Sequence, residues 1–336
     1  MKVKIGEKFV GEGNPAFIIA EAGINHNGSM KIAKKMVDKA VQSQVDAIKF
    51  QTFKANDLAS KESPYYKIFK KCELETSEFE EIADYTRSQG ITFCSTPFSQ
   101  DAVDILHKLK VPVFKISSGD LTHIPLISYT ATKKKPIILS TGMANLDEII
   151  DAVKTIEKQK NKKIIILHSV AGYPTPNDET NLNTINFLRE HFDHPIGYSD
   201  NGAGLVVPLT AIATGAKIIE KHFTLDQKMK GPDHSFSATP KQLTELVKQT
   251  REIENILGDK EKKCQKCEFE NRTNARRGIK TSVLIKKGTK ISSDKISIKR
   301  PAKGILPKDL NKILGKIVKQ DIGKNKILHW KDIKKK

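Results

Sequence analysis

The sequence predicts an α/β protein, a (β/α)8 (TIM) barrel followed by a small β-rich domain. Three observations carry that prediction: eight short apolar runs alternate with amphipathic stretches, polar or ionisable residues close each run, and the composition changes beyond a charged segment that begins after Gly258. At 336 residues, a barrel of roughly 250 residues plus an appendage is an ordinary division of the chain.

The runs are FIIAEAG (17–23), DAIKFQ (46–51), ITFCST (91–96), VFKISSG (113–119), PIILSTG (136–142), KIIILHSV (163–170), PIGYSD (195–200) and AKIIEKHF (216–223). Segments between them, such as SMKIAKKMVDKAVQSQ, space apolar residues three and four apart and read as amphipathic helices. Glu21, Lys49, Ser95, Lys115, Ser140, His168, Ser199 and His222 end or follow the apolar parts of the runs. In a βα barrel such strand ends share one rim, where catalytic groups converge. Strands leaving a core often end in polar residues, but that does not account for Lys, Glu and His lying inside apolar runs.

After the barrel, expected over 1–258, GDKEKKCQKCEFENRTNARRG lacks apolar periodicity and reads as a linker over 259–275. Brief β-like runs (TSVLI, KISIKRP, ILGKIV, KILHW) separated by turn residues then predict a β-rich domain over 276–336.

Composition excludes several classes. The net charge of +19 is carried mostly by Lys, with Arg at only seven positions, so arginine forks and basic clusters interleaved with aromatics are missing and nucleic acid is not an expected partner. Four cysteines are too few for a disulfide framework, and Cys264 and Cys267 lack the second CxxC or His pair that a zinc site needs. No apolar run approaches membrane-spanning length, so the chain is expected to be cytoplasmic and not bound to membrane.

The loop Glu21-Ala22-Gly23-Ile24-Asn25-His26-Asn27-Gly28 concentrates a carboxylate, two amides and an imidazole, a set that can hold a polyhydroxyl substrate and manage protons. With EAGINHNG the chain resembles the sialic acid (N-acetylneuraminate) synthases and the related legionaminic, pseudaminic and spore-coat polysaccharide synthases. The similarity continues in order through IKFQTF (48–53), STPFS (95–99), KISSGD (115–120), LSTGM (139–143), YPTP (173–176), EKHFT (220–224) and GPDH (231–234). Past the linker, RRGI, the KKG turn and KRP (299–301) resemble landmarks of that family's antifreeze-like (SAF) domain.

The resemblance implies condensation of phosphoenolpyruvate with the open-chain aldehyde of an N-acylated, mannosamine-like sugar, with water consumed and phosphate released. It assigns Lys49, Lys115, Ser118, Ser140 and Ser199 to phosphoenolpyruvate, and Tyr173 to the same region. Glu21 would orient water or the aldehyde, Asp233 would contact the sugar, and Asn25, Gln51 and His234 would assist binding. A divalent metal, Mn²⁺ or Mg²⁺, would be held by His222 and by the residue after Ser199-Asp200, where the family's His is replaced by Asn201. Ala171 likewise replaces a polar residue. Arg300 would reach the sugar's N-acyl group in a neighbouring subunit's barrel, which implies a domain-swapped homodimer. An acceptor of the diacetamido-dideoxy hexose type, a Schiff-base aldolase and a non-catalytic carbohydrate-binding relative are the competing readings.

Overall fold

The computed structural model describes residues 1–334, which divide into two compact units, Met1–Gly258 and the chain from Asp259 onward. In the first, eight parallel strands close into a barrel: β1 (Phe17–Gly23), β2 (Ala47–Thr52), β3 (Thr92–Pro97), β4 (Phe114–Ile116), β5 (Ile137–Ser140), β6 (Ile164–Ser169), β7 (Ile196–Asp200) and β8 (Ile218–His222). All eight expected runs form strands. The run at 113–119 is the shortest, because a 3-10 turn at Ser118–Asp120 takes its second half.

The helices form where apolar spacing and caps coincide. Met30–Gln42 buries Ala33, Met36, Val37 and Ala40, one face at helical spacing, and Ser29 caps its first turn. Asn145 with Glu148, and Thr239 with Gln242, make reciprocal capping boxes for Leu146–Lys158 and Pro240–Leu257.

Alternation along the strands divides the core in two. Outward residues such as Ile18, Ile48, Phe114 and Ile166 pack under the helices. Inward residues Phe17, Ile19, Ala47, Ile138, Ile165 and Ile218 fill the lower barrel. An N-terminal hairpin, Lys2–Ile5 paired with Lys8–Gly11, adds Val3, Ile5 and Val10 to that inner cluster and plugs the barrel's base. Gly197 is required within it, since a Cβ there would lie 2.2 Å from Ile218 Cγ2. With the base sealed by hydrocarbon, the cavity lies at the C-terminal ends of the strands.

Among the described residues of the second unit, regular pairing is confined to β9 (Gly278–Thr281) against β10 (Ile296–Lys299). The other β-like runs contribute single bridges, such as Ile285 with Ile322 and Val318 with Ile333, because turns interrupt them before a ladder can extend. Their isoleucines nonetheless make the core, including Ile279, Ile285, Ile291, Ile305 and Ile313. The segment expected as a linker holds a short helix, Phe269–Asn274. Among the described residues no helix is long and apolar enough to cross a membrane.

Candidate active site

The inward series that fills the barrel base with hydrocarbon turns ionic one step higher. On β1 it runs Phe17, Ile19, Glu21; on β2, Ala47, Lys49, Gln51; on β8, Ile218, Glu220, His222. Registers place Glu21 beside Lys49 and Glu220 beside Ser199. These side chains form the floor of a cavity of about 510 Å³.

Four charges interlock on that floor. Lys49 Nζ is 2.8 Å from Glu21 Oε2 and 3.7 Å from Glu220 Oε2, while Lys115 Nζ is 3.2 Å from Glu220 Oε1. Ser199 Oγ donates to Glu220 Oε1 at 3.0 Å, Gln51 Nε2 donates to Glu21 Oε1 at 3.1 Å, and Lys49 donates to Thr96 Oγ1 at 3.1 Å. All four ionic side chains are buried.

Burial and neighbouring charge set their protonation. Burial pushes Glu21 up to about 7, against the pull of Lys49 and with the help of Glu220. Burial would raise Glu220 as well, but the ammonium groups of Lys115 and Lys49 outweigh it and hold that carboxyl at about 2. Lys49 is opposed by burial yet ends above its ordinary value because Glu21 and Glu220 flank it. Lys115 is lowered by burial, with Glu220 resisting. Glu220 is thus a fixed anion, and Glu21 can gain or lose a proton near neutrality.

The two halves of the rim differ in chemistry. Strands β4 to β7 present Lys115, Ser117, Ser118, Ser140, Ser169 and Ser199. Ser118 Oγ accepts from Gly142 N at 3.0 Å, leaving its own proton available, and Ser140 Oγ is buried without a hydrogen-bond partner. On the other side, burial holds the His222 ring neutral, down at about 3, and Nδ1 has no hydrogen bond, lying 3.9 Å from Asp233 Oδ2. Burial raises Asp233 to about 6. Tyr173 stands edge-on to His222 with ring centres 6.0 Å apart. Asn201 lines the cavity, but its amide nitrogen is engaged by Val170 O at 2.8 Å and Ser169 Oγ at 3.3 Å.

Of the residues selected from sequence, Glu21, Lys49, Gln51, Lys115, Ser118, Ser140, Tyr173, Ser199, Asn201, His222 and Asp233 line this one cavity. Asn25 and His234 do not. Asn25 Nδ2 ties the β1 loop to Phe223 O at 2.9 Å and Ser237 Oγ at 3.0 Å, and His234 Nδ1 lies 2.6 Å from Thr224 Oγ1, so both are buried supports of the loops. Ser95 and His168 face away from the axis. Ser95 pairs with Thr52 at 2.7 Å and His168 with Thr180 O at 2.8 Å, while their neighbours Thr96 and Ser169 line the cavity. Arg300 is exposed on the second unit.

Glu220 is the ionic group of the cavity floor that sequence reading missed, and Thr96, Ser117 and Ser169 are further lining residues it did not select. The spacing of Glu220 two residues before His222 puts it on the inward face beside Ser199, but in the sequence the adjacent Lys221 is an equal candidate for that face. The intervening Lys221 points the other way, into a fully buried ion pair with Asp200 at 2.7 Å that ties β8 to β7. Asp200 also accepts from Gly202 N at 2.9 Å, fixing the loop that carries Asn201.

Known proteins show the same two-part layout. The model of the NeuB family matches residues 36–262, and that of the SAF domain matches residues 276–334. The N,N'-diacetyllegionaminic acid synthase of Campylobacter jejuni is 39% identical, over 93% of this chain and 98% of that one. An uncharacterized protein of Methanocaldococcus jannaschii is 47% identical over 99% of this chain and 98% of its own length. The crystal structure of a sialic acid synthetase from Leptospira borgpetersenii superposes with a TM-score of 0.78 at 36% identity, covering 81% of this chain and 95% of that one. By its barrel, its rim residues and its C-terminal domain, the chain belongs to the NeuB family of sialic acid-type synthases.

Proposed function

We propose that the protein is a nonulosonic acid synthase, joining phosphoenolpyruvate to the open-chain aldehyde of an N-acylated, mannosamine-like sugar. The observation that carries this reading is the quartet Lys49, Lys115, Glu21 and Glu220 beside a serine-lined half-rim. Two ammonium groups and several hydroxyls complement a small phosphate- and carboxylate-bearing substrate. Lys115, Ser118 and Ser140 would bind it, and Ser199 would serve by holding Glu220.

In the reaction, the methylene carbon of phosphoenolpyruvate bonds to the aldehyde carbon, whose oxygen takes up a proton. Water adds to the enol carbon and gives up a proton, and phosphate leaves from that carbon with its bridging oxygen. Glu21 is suited to receive the water's proton because it titrates near neutrality next to Lys49. Asp233, Gln51 and Tyr173 would orient the sugar.

A divalent metal fits one corner of the cavity. His222 offers a neutral imidazole with an unpartnered ring nitrogen, and Asn201, whose amide nitrogen is already engaged, offers its oxygen. That mixed N and O set suits Mn²⁺ or Mg²⁺, which would polarise the aldehyde oxygen. Among the described residues no cluster of three His, Cys, Asp or Glu could hold an ion, so affinity would lean on the amide. Asn201→His should tighten Mn²⁺ binding about tenfold, since imidazole outranks an amide for this ion. Calorimetric titration of the substrate-free protein reads this directly, and an unchanged isotherm removes position 201 from the metal.

By the family resemblance, a second copy in a domain-swapped homodimer supplies Arg300 to the sugar's N-acyl group. Arg300→Ala should then raise the acceptor KM roughly 10- to 100-fold, the loss of one charged hydrogen bond, at nearly unchanged Tm. Wild-type kinetics in the variant would exclude Arg300 from the site. The reading as a whole is tested by phosphate release from phosphoenolpyruvate with N-acetylmannosamine and with a 2,4-diacetamido-6-deoxy hexose, with and without Mn²⁺. Release with neither acceptor under any metal condition would refute it.

A further inference from the structure

The charge of the chain is not shared between its two units. Residues 1–258 hold 33 Lys and Arg against 31 Asp and Glu, a balance of +2, whereas residues 259–336 hold 25 against 8, so the smaller unit carries +17 of the net +19. Self-repulsion at that density works against the compact state, and the isoleucine core gains nothing from it. Few carboxylates temper the excess. Over residues 276–336, Asp294, Asp309 and Asp321 pair with Lys295, Lys312 and Lys286 at 3.9, 2.7 and 3.0 Å. The fourth acid, Asp332, is buried and accepts from His329 N at 2.9 Å and Gln320 Nε2 at 3.2 Å.

The C-terminal pairing shows how lysines are displayed on this unit. Val318 and Ile333 form an antiparallel bridge and are both buried, with Lys319 N donating to Asp332 O at 2.8 Å and Lys334 N to Ile317 O at 2.9 Å. Alternation about that inward pair turns Lys319 and Lys334 outward, and Lys331 is exposed in the same segment. Among the described residues none of these three lysines makes an ion pair. Between Leu328 and Ile333, both in the core, stands Trp330, the only tryptophan of the chain, 50% exposed. Leu284 and Leu314 are further exposed apolar side chains of this unit.

We propose that the second unit docks on an anionic membrane surface, with Lys319, Lys331 and Lys334 meeting lipid headgroups and Trp330 entering the interfacial layer. This goes beyond the synthase reading and is independent of it. The first unit, nearly neutral as a whole, offers a second copy no charge to match +17, so contact between copies leaves the excess without a use. Nucleic acid is the poorer fit, because only four of the 25 cations are Arg, and residues 276–336 hold no Phe, Tyr or second Trp on which bases could stack. An acidic protein is also a poorer fit, since interfaces between proteins enrich Arg and deplete Lys. A lipid surface requires neither forked donors nor a fixed register. Each lysine near an anionic leaflet contributes about fivefold in affinity, and a tryptophan at headgroup level adds the apolar anchor. Among the described residues no helix is long and apolar enough to cross a bilayer, so the contact is with its surface.

The full chain is sedimented with vesicles of equal parts phosphatidylglycerol and phosphatidylcholine, and with vesicles of phosphatidylcholine alone. The mixed vesicles should carry the protein down and the neutral ones should not. Binding should weaken at least about tenfold between about 0.1 M and about 1 M NaCl, as the Debye length shrinks from about 10 to about 3 Å. Emission from Trp330 should shift to shorter wavelength on binding, a signal that no other residue can supply. Replacing Lys319, Lys331 and Lys334 together by Gln should weaken binding roughly 100-fold, and Arg at the same three positions should retain it, both at nearly unchanged Tm.

Equal sedimentation with the two vesicle compositions, or sedimentation with neither, overturns the proposal. So does binding that leaves Trp330 emission unmoved, or a triple Gln variant that binds like the wild type. A short duplex DNA that binds the protein more tightly than the mixed vesicles at the same salt assigns the charge to nucleic acid, and likewise overturns it. The tests of lipid composition and salt use the wild type alone, so they decide the matter even where the triple Gln variant fails to fold.

Discussion

Glu220→Gln should raise the phosphoenolpyruvate KM about 10- to 100-fold at pH 8 and move the alkaline limb of its kcat/KM profile down by about one pH unit or more. Glu220 is the carboxylate that both floor lysines share, 3.2 Å from Lys115 and 3.7 Å from Lys49. Burial alone drives Lys115 toward its neutral form, and Glu220 is the strongest influence resisting this. An isosteric amide keeps the shape and can still accept from Ser199, but it withdraws the charge. Lys115 then loses its proton at lower pH, and the substrate loses a cation.

Stability supplies an independent check on the same residue. Leaving buried lysines without their carboxylate costs on the order of 3–5 kcal/mol when the ammonium form persists. The folded pKa of Glu220 is depressed from 4.5 to about 2, so its contribution is fully present above pH 4.5 and is lost as the pH falls toward 2. The Tm gap between wild type and Glu220→Gln should therefore be wide at neutral pH and close in acid. A variant with the wild-type KM and an unshifted alkaline limb would show that Glu220 is only structural.

That Glu220 was not legible in the sequence has a definite physical cause. Barrel strands are buried on both faces, so the alternation that marks a half-exposed strand is erased. In KIIILHSV nothing distinguishes His168 from Ser169, yet Ser169 lines the cavity and His168 does not. In EKH and SDN, charged or polar residues are adjacent. Glu220, His222, Ser199 and Asn201 point inward, while Lys221 and Asp200 pair behind them at 2.7 Å. Glu21, Lys49 and Lys115 were legible as lone charges inside apolar runs, whereas Glu220 shares its run with Lys221, which points away from the cavity.

Two further features were out of reach for a different reason. The N-terminal hairpin has only four residues per strand, and the helix Tyr66–Cys72, between β2 and β3, only seven, too short for periodicity to register. Their roles depend on what they cover. Val3, Ile5 and Val10 close the barrel base, and Ile68 with Phe69 walls the opposite end, where sequence alone gave no sign of a partner surface.

Glu21→Gln should have opposite effects on activity and stability. Activity should fall by about 10²- to 10⁴-fold in kcat, the contribution of one positioned proton acceptor, with a much smaller change in the phosphoenolpyruvate KM. In the wild type, kcat/KM should decline below pH 7 as Glu21 takes up a proton, and the residual activity of the variant should lack that limb. For stability the sign is reversed. The folded pKa is raised from 4.5 to about 7 by burial, so between those values the folded state binds more protons than the unfolded one, and stability falls as the pH rises through that window. Above pH 7 the ionised carboxylate is a net burden on the fold, which a neutral amide removes while Gln51 keeps a side-chain oxygen to donate to. The variant's Tm should match the wild type near pH 5 and exceed it at pH 8. A Tm lowered at pH 8 would mean that the 2.8 Å contact with Lys49 dominates and that Glu21 is a permanent anion; retained turnover would remove it from proton transfer. The combination of lost activity and gained stability is what a carboxylate held out of water for catalysis should show, and a merely structural ion pair would not produce it.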